Sequence, residues 1–283
     1  MGLRITNAPE TVFGSPDPVN GHAVGVTRSF VALGDSFTEG LEDDLGPDRR
    51  HRGWADRVAA ALALHENGIR YANLAVRGRL LDQVVADQLP AALRLAPDLI
   101  SFHAGPNDVL RPRADVPALL DRYADAVAEL RSAGSETLLF TVIERTGTGR
   151  TAQRLAARFG AFNDGVRATA DKHGAQLVDL AAVPVLRDRR LWHADRLHLN
   201  SEGHARVAAA VLETLGLPEE EPGWWREAVP GSMRATRRAA LVADVRWIGV
   251  HLLPWIGRRL RGVSSGDRVI AKQTELIEVR PAG

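Results

Sequence analysis

Short apolar runs alternate along the chain with longer stretches in which apolar residues recur every three or four positions. The runs at 30–33, 70–74, 99–103, 137–143 and 176–180 are too short for core helices and predict buried strands. The stretches at 54–65, 80–95, 116–133 and 153–172 carry helical spacing, and 203–215 follows the last strand as a further helix. Such alternation predicts an α/β protein whose parallel sheet is covered on both faces. Before it, residues 1–27 are rich in Pro, Gly and polar groups and read as an N-terminal arm. After Gly216 the pattern changes. Pro218-Glu219-Glu220-Glu221-Pro222-Gly223 reads as a boundary, so 28–217 is the expected main domain and 218–283 an extension.

The first strand stops at Gly34-Asp35-Ser36 and gives way to polar, flexible residues. Catalytic groups in open α/β sheets gather at that carboxyl edge, so Ser36 is a candidate nucleophile. The tripeptide alone also fits a turn in which Asp35 and Ser36 bond the local backbone. A serine hydroxyl needs a base to take its proton and donors aimed at the oxyanion. Asp195-Arg196-Leu197-His198 sets a carboxylate and an imidazole three residues apart, close enough on one tight turn for Asp195 to orient the ring. Gly105-Pro106-Asn107-Asp108 follows the third strand and offers the Asn107 amide as a donor, and Gly78 offers a backbone N–H. His193 competes with His198 as base. His198 is preferred because of its acid and because Leu199-Asn200 leads into a capped helix start at Ser201. His204 then reads as a structural residue of that helix, and His103 as a hydrogen-bonded wall of the site.

Gly-Asp-Ser near the start, Gly78 within Asn73-Leu74-Ala75-Val76-Arg77-Gly78, Gly105-x-Asn107-Asp108 and Asp195-x-x-His198 stand in the order of the four blocks of the SGNH (GDSL-type) hydrolases. The chain resembles that family over roughly residues 28–216. The resemblance implies a three-layer α/β/α sandwich with a flavodoxin-like parallel sheet. It implies Ser36 as nucleophile, His198 as base and Asp195 as its orienter, with an oxyanion hole of Ser36 N–H, Gly78 N–H and the Asn107 side chain. It also implies serine ester hydrolysis without cofactor, on small acyl esters, acetylated sugars, lysophospholipids or thioesters. A binding or scaffold module that keeps the fold is the alternative from another class. Pro106 occupies the variable slot of the third block, removing an N–H that the chemistry does not use.

Composition narrows the partners. A hydrophobic fraction of 45% and a charged fraction of 25% are those of an ordinary globular chain. A net charge of +1 gives no overall attraction to nucleic acid, and the absence of Cys removes disulfides and thiolate chemistry. No histidine and carboxylate spacing suggests a metal. No apolar run spans a bilayer and no secretion signal is evident, so a cytoplasmic location is expected. The expected partner is a small-molecule or lipid ester. The acidic loop at 39–46 reads as solvated, and the loop at 145–150 as lying near the crevice. Gly147-x-Gly149-x-x-Ala152, with Asp179 after it, resembles a dinucleotide fingerprint but is separated from its strand and comes late. Gly262-Val263-Ser264-Ser265-Gly266 matches a nucleophile-elbow pattern with no histidine after it. In the extension, Leu241, Val245, Ile248, Leu252 and Ile256 have helical spacing among Trp224, Trp225, Trp247, Trp255 and many arginines. That pattern fits a helix packed on the domain, or a peripheral membrane contact through the C-terminal tail. The residues from about Asp267 read as loose.

Overall fold

A computed structural model describes residues 27–144, 149–217, 221–231, 250 and 266–281. Five parallel strands and one antiparallel strand form a single sheet in the order β5-β4-β3-β1-β2-β6. They are β1 (Ser29–Gly34), β2 (Ile69–Asn73), β3 (Leu99–His103), β4 (Glu136–Phe140), β5 (Gln176–Val178) and β6 (Gln273–Val279). The five parallel strands follow the flavodoxin-like order, which reverses direction between β1 and β3.

Strand side chains alternate between two cores. Phe30, Ala32, Tyr71, Leu138 and Phe140 join one, while Val31, Leu33, Ile100, Phe102 and Leu139 join the other. The first core is closed by α2 (Gly53–Glu66) and α8 (Ser201–Thr214), through residues such as Trp54, Val58, Leu62, Val207 and Val211. The second is closed by α6 (Val116–Ser132) and α7 (Arg150–His173), through Leu119, Tyr123, Val127, Phe162 and Val166. Three layers result, as the resemblance implied.

The stretch at 80–95 is not one regular helix. It starts as α3 (Leu81–Gln83), passes through a π turn (Val84–Gln88) and ends as α4 (Leu89–Leu95). Pro90 has no N–H and its ring crowds the preceding turn, so Leu89 N–H reaches back five residues to the carbonyl of Val84. Two four-residue helices flank the switch point, α1 (Ser36–Glu39) after β1 and α5 (Pro106–Val109) after β3. Pro106 takes the first helical turn of α5, where a missing N–H is harmless.

The end of the chain departs from expectation. Residues read as loose from Asp267 form β6, which pairs antiparallel with β2, Ile69 opposite Val279 and Tyr71 opposite Ile277. Its glutamates, Glu275 and Glu278, suit an outermost strand. Residues 221–231 also dock: Trp225 is buried, its indole N–H donates to Glu213 at 2.9 Å, and Arg206 donates to the carbonyls of Trp225 and Glu227. The apolar stripe from Leu241 to Ile256, with Trp247 and Trp255, lies outside the described residues, as do residues 1–26, Gly147 of the dinucleotide-like pattern and Ser264 of the elbow-like one. Among the described residues no helix is long and apolar enough to cross a membrane.

Candidate active site

Gly34 ends β1 with φ +152°, and a Cβ there would stand 2.5 Å from the His103 carbonyl oxygen, so only glycine lets β1 turn this close to β3. The turn is clamped from the π turn. The Gln88 side chain accepts from Gly34 N–H at 2.8 Å and donates to Gly34 C=O at 2.9 Å. Asp35 then caps α1 by accepting from Phe37 N–H at 3.0 Å, and Ser36 becomes the first residue of that helix. Beneath it Phe37 packs against His103, Trp54 and Phe140 with centroids 4.4, 5.7 and 5.9 Å away.

The other partner arrives on a turn stitched by an antiparallel bridge between Trp192 and Leu199 and by His193 N–H donating to the His198 carbonyl at 2.9 Å. Within the turn one oxygen of Asp195 accepts from Leu197 N–H and His198 N–H at 2.9 and 3.1 Å. Its second oxygen lies 2.7 Å from His198 Nδ1, and His198 Nε2 lies 3.1 Å from Ser36 Oγ. The three sequence-predicted groups thus form one continuous relay. Burial opposes the charge on Asp195, but hydrogen bonds from His198 and the two backbone donors, with the attraction of the ring, hold its carboxyl well below the usual carboxylate range. Asn200 caps α8 by accepting from Gly203 N–H at 3.0 Å, so the helix start expected after His198 is present.

Asn107, on the first turn of α5, and Gly78, with φ +74°, line the same cleft as Ser36. The Asn107 amide nitrogen donates to Asp35 Oδ2 at 2.9 Å and to the Arg79 carbonyl at 3.0 Å, which fixes the amide between the Ser36 turn and the Gly78 loop. Asp108 ties the same loop from below by accepting from Leu81 N–H at 2.9 Å. The Gly78 loop is gripped a second time: the Glu39 carboxylate accepts from Arg77 N–H at 2.7 Å and pairs with its guanidinium.

The remaining histidines separate cleanly. His193 is half-buried and stands between Glu42 at 3.4 Å and Asp195 at 3.7 Å. Glu42, His193 and Asp195 bring ligand-type atoms within 4.8 Å of one another, a grouping that their sequence spacing conceals. His204 is buried, with Nε2 3.3 Å from the Leu41 carbonyl, and burial pushes its pKa down to about 4, so it is neutral and structural as expected. His103 is a wall residue, as expected, but by ring packing rather than by hydrogen bonding: its Nδ1 has no hydrogen-bond partner, and Asp35 Oδ1 lies 3.7 Å away. The acidic loop is solvated only at its far end, where Asp44 and Leu45 are exposed. Glu39 holds Arg77, Asp43 is buried and paired with Arg57 at 2.9 Å, and Asp44 accepts from Ser201 Oγ at 2.6 Å.

From Ser36 a cleft of about 730 Å³ runs outward. Its described walls include Leu110 after α5, Val142 and Ile143 after β4, and Leu155, Ala156 and Phe159 of α7. Gln88, Asn73, Glu39 and Arg77 support the site without having been singled out for it in the sequence. A polar side chain such as Gln88 in an otherwise apolar helical stripe was the available signal.

The sequence pattern of the GDSL-like Lipase/Acylhydrolase family matches residues 32–206, more than half of the chain, and the protein belongs to that family. It is a carboxylic ester hydrolase. Among solved structures it resembles TesA, with 24% identity, a TM-score of 0.56, and 66% of this chain and 97% of the other covered. It also resembles Axe2, an acetylxylan esterase from Geobacillus stearothermophilus (22% identity, TM-score 0.54, 69% and 97% covered). A third is EstA, a psychrotrophic esterase from Pseudoalteromonas sp. (15%, TM-score 0.54, 67% and 97%). No curated protein sequence matches the chain. About a third of this chain is therefore additional to what it shares with each neighbour.

Proposed function

We propose that the enzyme hydrolyses esters of medium-length aliphatic acids through an acyl-enzyme on Ser36. The observation that carries this reading is the relay Ser36–His198–Asp195, with gaps of 3.1 and 2.7 Å, at the base of a largely apolar cleft. Ser36 Oγ attacks the ester carbonyl while its proton passes to His198 Nε2, and Asp195 stabilises the imidazolium through Nδ1. The carbonyl oxygen becomes an oxyanion facing Ser36 N–H, Gly78 N–H and Asn107 Nδ2, with Asn107 turning one hydrogen from Asp35 toward it. Collapse of the intermediate expels the alkoxide, which takes the proton from His198 and leaves as alcohol. Water then attacks the acyl-enzyme with His198 again as base, and the acid is released with Ser36 restored. Each oxyanion donor is worth about 10²–10³ in rate.

The volume of the cleft is that of a site for a drug-sized ligand, and Val142, Ile143, Leu155 and Phe159 offer an acyl chain surface to bury at about 0.8 kcal/mol per CH₂. We place the catalytic domain at 28–217, with 221–231 docked on it and β6 completing its sheet from within the extension at 218–283. The test is a panel of p-nitrophenyl esters from acetate to dodecanoate with wild type and Ala156→Trp. Wild-type kcat/KM rises with chain length through the medium range, and the indole of the variant reduces octanoate turnover about tenfold or more while acetate changes little. A wild type that prefers acetate throughout would refute the acyl-chain reading and favour short esters such as those of acetylated sugars.

A further inference from the structure

The amine of Lys272, on the segment entering β6, lies buried beneath the nucleophile's helix, with its side chain 10% exposed. Its Nζ donates to the carbonyls of Glu39 at 2.7 Å, His51 at 2.9 Å and Arg52 at 3.3 Å, and to the carboxylate of Asp56. Three of these acceptors belong to the crossing of two chain segments at Gly40 and Gly53. Those residues approach so closely that a Cβ on Gly40 would stand 2.3 Å from Gly53 Cα. An ammonium ion, a compact point charge with three donors, suits such a convergence of carbonyl oxygens.

α1 has only four residues and cannot hold itself by its own hydrogen bonds. Its final carbonyls are held from outside: Asn73 donates to Thr38 C=O at 3.0 Å and Lys272 to Glu39 C=O. Asn73 also donates to the Tyr71 hydroxyl at 3.0 Å, and Tyr71 hydrogen-bonds to Asp56, so both supports meet at the Lys272–Asp56 pair. Glu39 carries the constraint onward, because its carboxylate grips Arg77 one residue before Gly78.

We propose that Lys272 is a positioning residue for the esterase site, setting α1 and the Gly78 loop in register through the Glu39 carbonyl. Lys272 lies well beyond residues 32–206, so this support comes from the part of the chain outside the family match. The proposal rests on Ser36 being the nucleophile, and wild-type labelling by a fluorophosphonate reports that separately.

The test uses full-length Lys272→Met and the double variant Lys272→Met/Asp56→Asn, which leaves no buried charge behind. Leu276→Ala is the comparator: it weakens the docking of β6 against the core without touching the amine. Melting temperature, kcat and KM for a chromogenic ester are read well below every melting point. In both amine-free variants kcat falls about 10–100-fold with KM within about threefold, the signature of misplaced catalytic groups. Leu276→Ala loses stability and keeps its kcat. A folded amine-free variant with wild-type kcat overturns the proposal, and so does an equal kcat loss in Leu276→Ala. Failure of both amine-free chains to fold overturns it too, because Lys272 is then a folding residue. If wild type takes no adduct on Ser36, the functional reading falls and this proposal with it; a labelled wild type with unimpaired variants removes only the role of Lys272.

Discussion

Replacing Asp195 by Asn keeps the size of the side chain and the oxygen that accepts from Leu197 N–H and His198 N–H at 2.9 and 3.1 Å, so the turn survives. What changes is the atom 2.7 Å from His198 Nδ1, which becomes an NH₂ donor. The ring then keeps Nδ1 bare and carries its proton on Nε2, the atom 3.1 Å from Ser36 Oγ. In that tautomer Nε2 cannot accept the serine proton, and the imidazolium loses its counter-charge. The expected loss is about 10⁴ in kcat, or roughly 5.4 kcal/mol of transition-state stabilisation at 25 °C. Initial rates on a p-nitrophenyl ester across neutral and alkaline pH, with circular dichroism to show the fold intact, measure it. The residual rate rises with pH as hydroxide replaces the missing base. His193→Ala provides the contrast, since His193 pairs with Glu42 and stays 3.7 Å from the Asp195 oxygen that His198 Nδ1 approaches to 2.7 Å, so its removal leaves kcat within about tenfold. An Asp195→Asn variant within tenfold of wild type at neutral pH would refute the tautomer reasoning, and a collapse in His193→Ala would transfer the base to that residue.

Gln88→Leu removes both bonds to Gly34 and leaves its buried N–H without that acceptor, so urea denaturation shows a loss of about 2–3 kcal/mol, with reduced activity in the folded fraction. The pH dependence of stability contains two opposed groups. Burial raises Asp56 to about 6 despite Lys272, so its contribution to stability is complete below about pH 4 and is lost as pH rises through 6. His204 is lowered to about 4, so its contribution is complete above about pH 6.5 and is lost as pH falls through 4. Each is on the order of 3 kcal/mol, and they offset one another across the same window. His204→Gln unmasks the Asp56 slope, and its unfolding free energy declines from pH 4 to 6 while that of wild type stays flatter; parallel curves would refute the assignment.

The features legible in the sequence were those carried by neighbours in the chain. Asp195 and His198 are three residues apart and share one turn, and the strand of each βα unit announces itself as a short apolar run ending in Gly34 or leading to Gly105. The supports of the site were not legible, because each joins residues distant in sequence. Gln88 reaches Gly34 across 54 positions, Arg77 reaches Glu39 across 38, and Lys272 reaches Glu39 across 233. The acidic loop looked solvated for the same reason: Arg57, Arg77 and Ser201 become its partners only when the fold brings them over. β6 is not legible because its apolar residues are interleaved with Glu275 and Glu278, the composition of an edge strand, and its pairing depends on β2 some two hundred residues earlier. The π turn has a visible cause in Pro90, whose missing N–H interrupts the helical ladder of that stretch.

The proposed nucleophile is Ser36, activated by His198. The direct measurement is labelling of the full-length protein by a fluorophosphonate, read by intact mass and peptide mapping, on wild type, Ser36→Ala and His198→Ala. One adduct is expected on the peptide containing Ser36, none in Ser36→Ala, and labelling slowed by about 10³ or more in His198→Ala. An adduct on another residue, or a folded wild type that takes none, would contradict it.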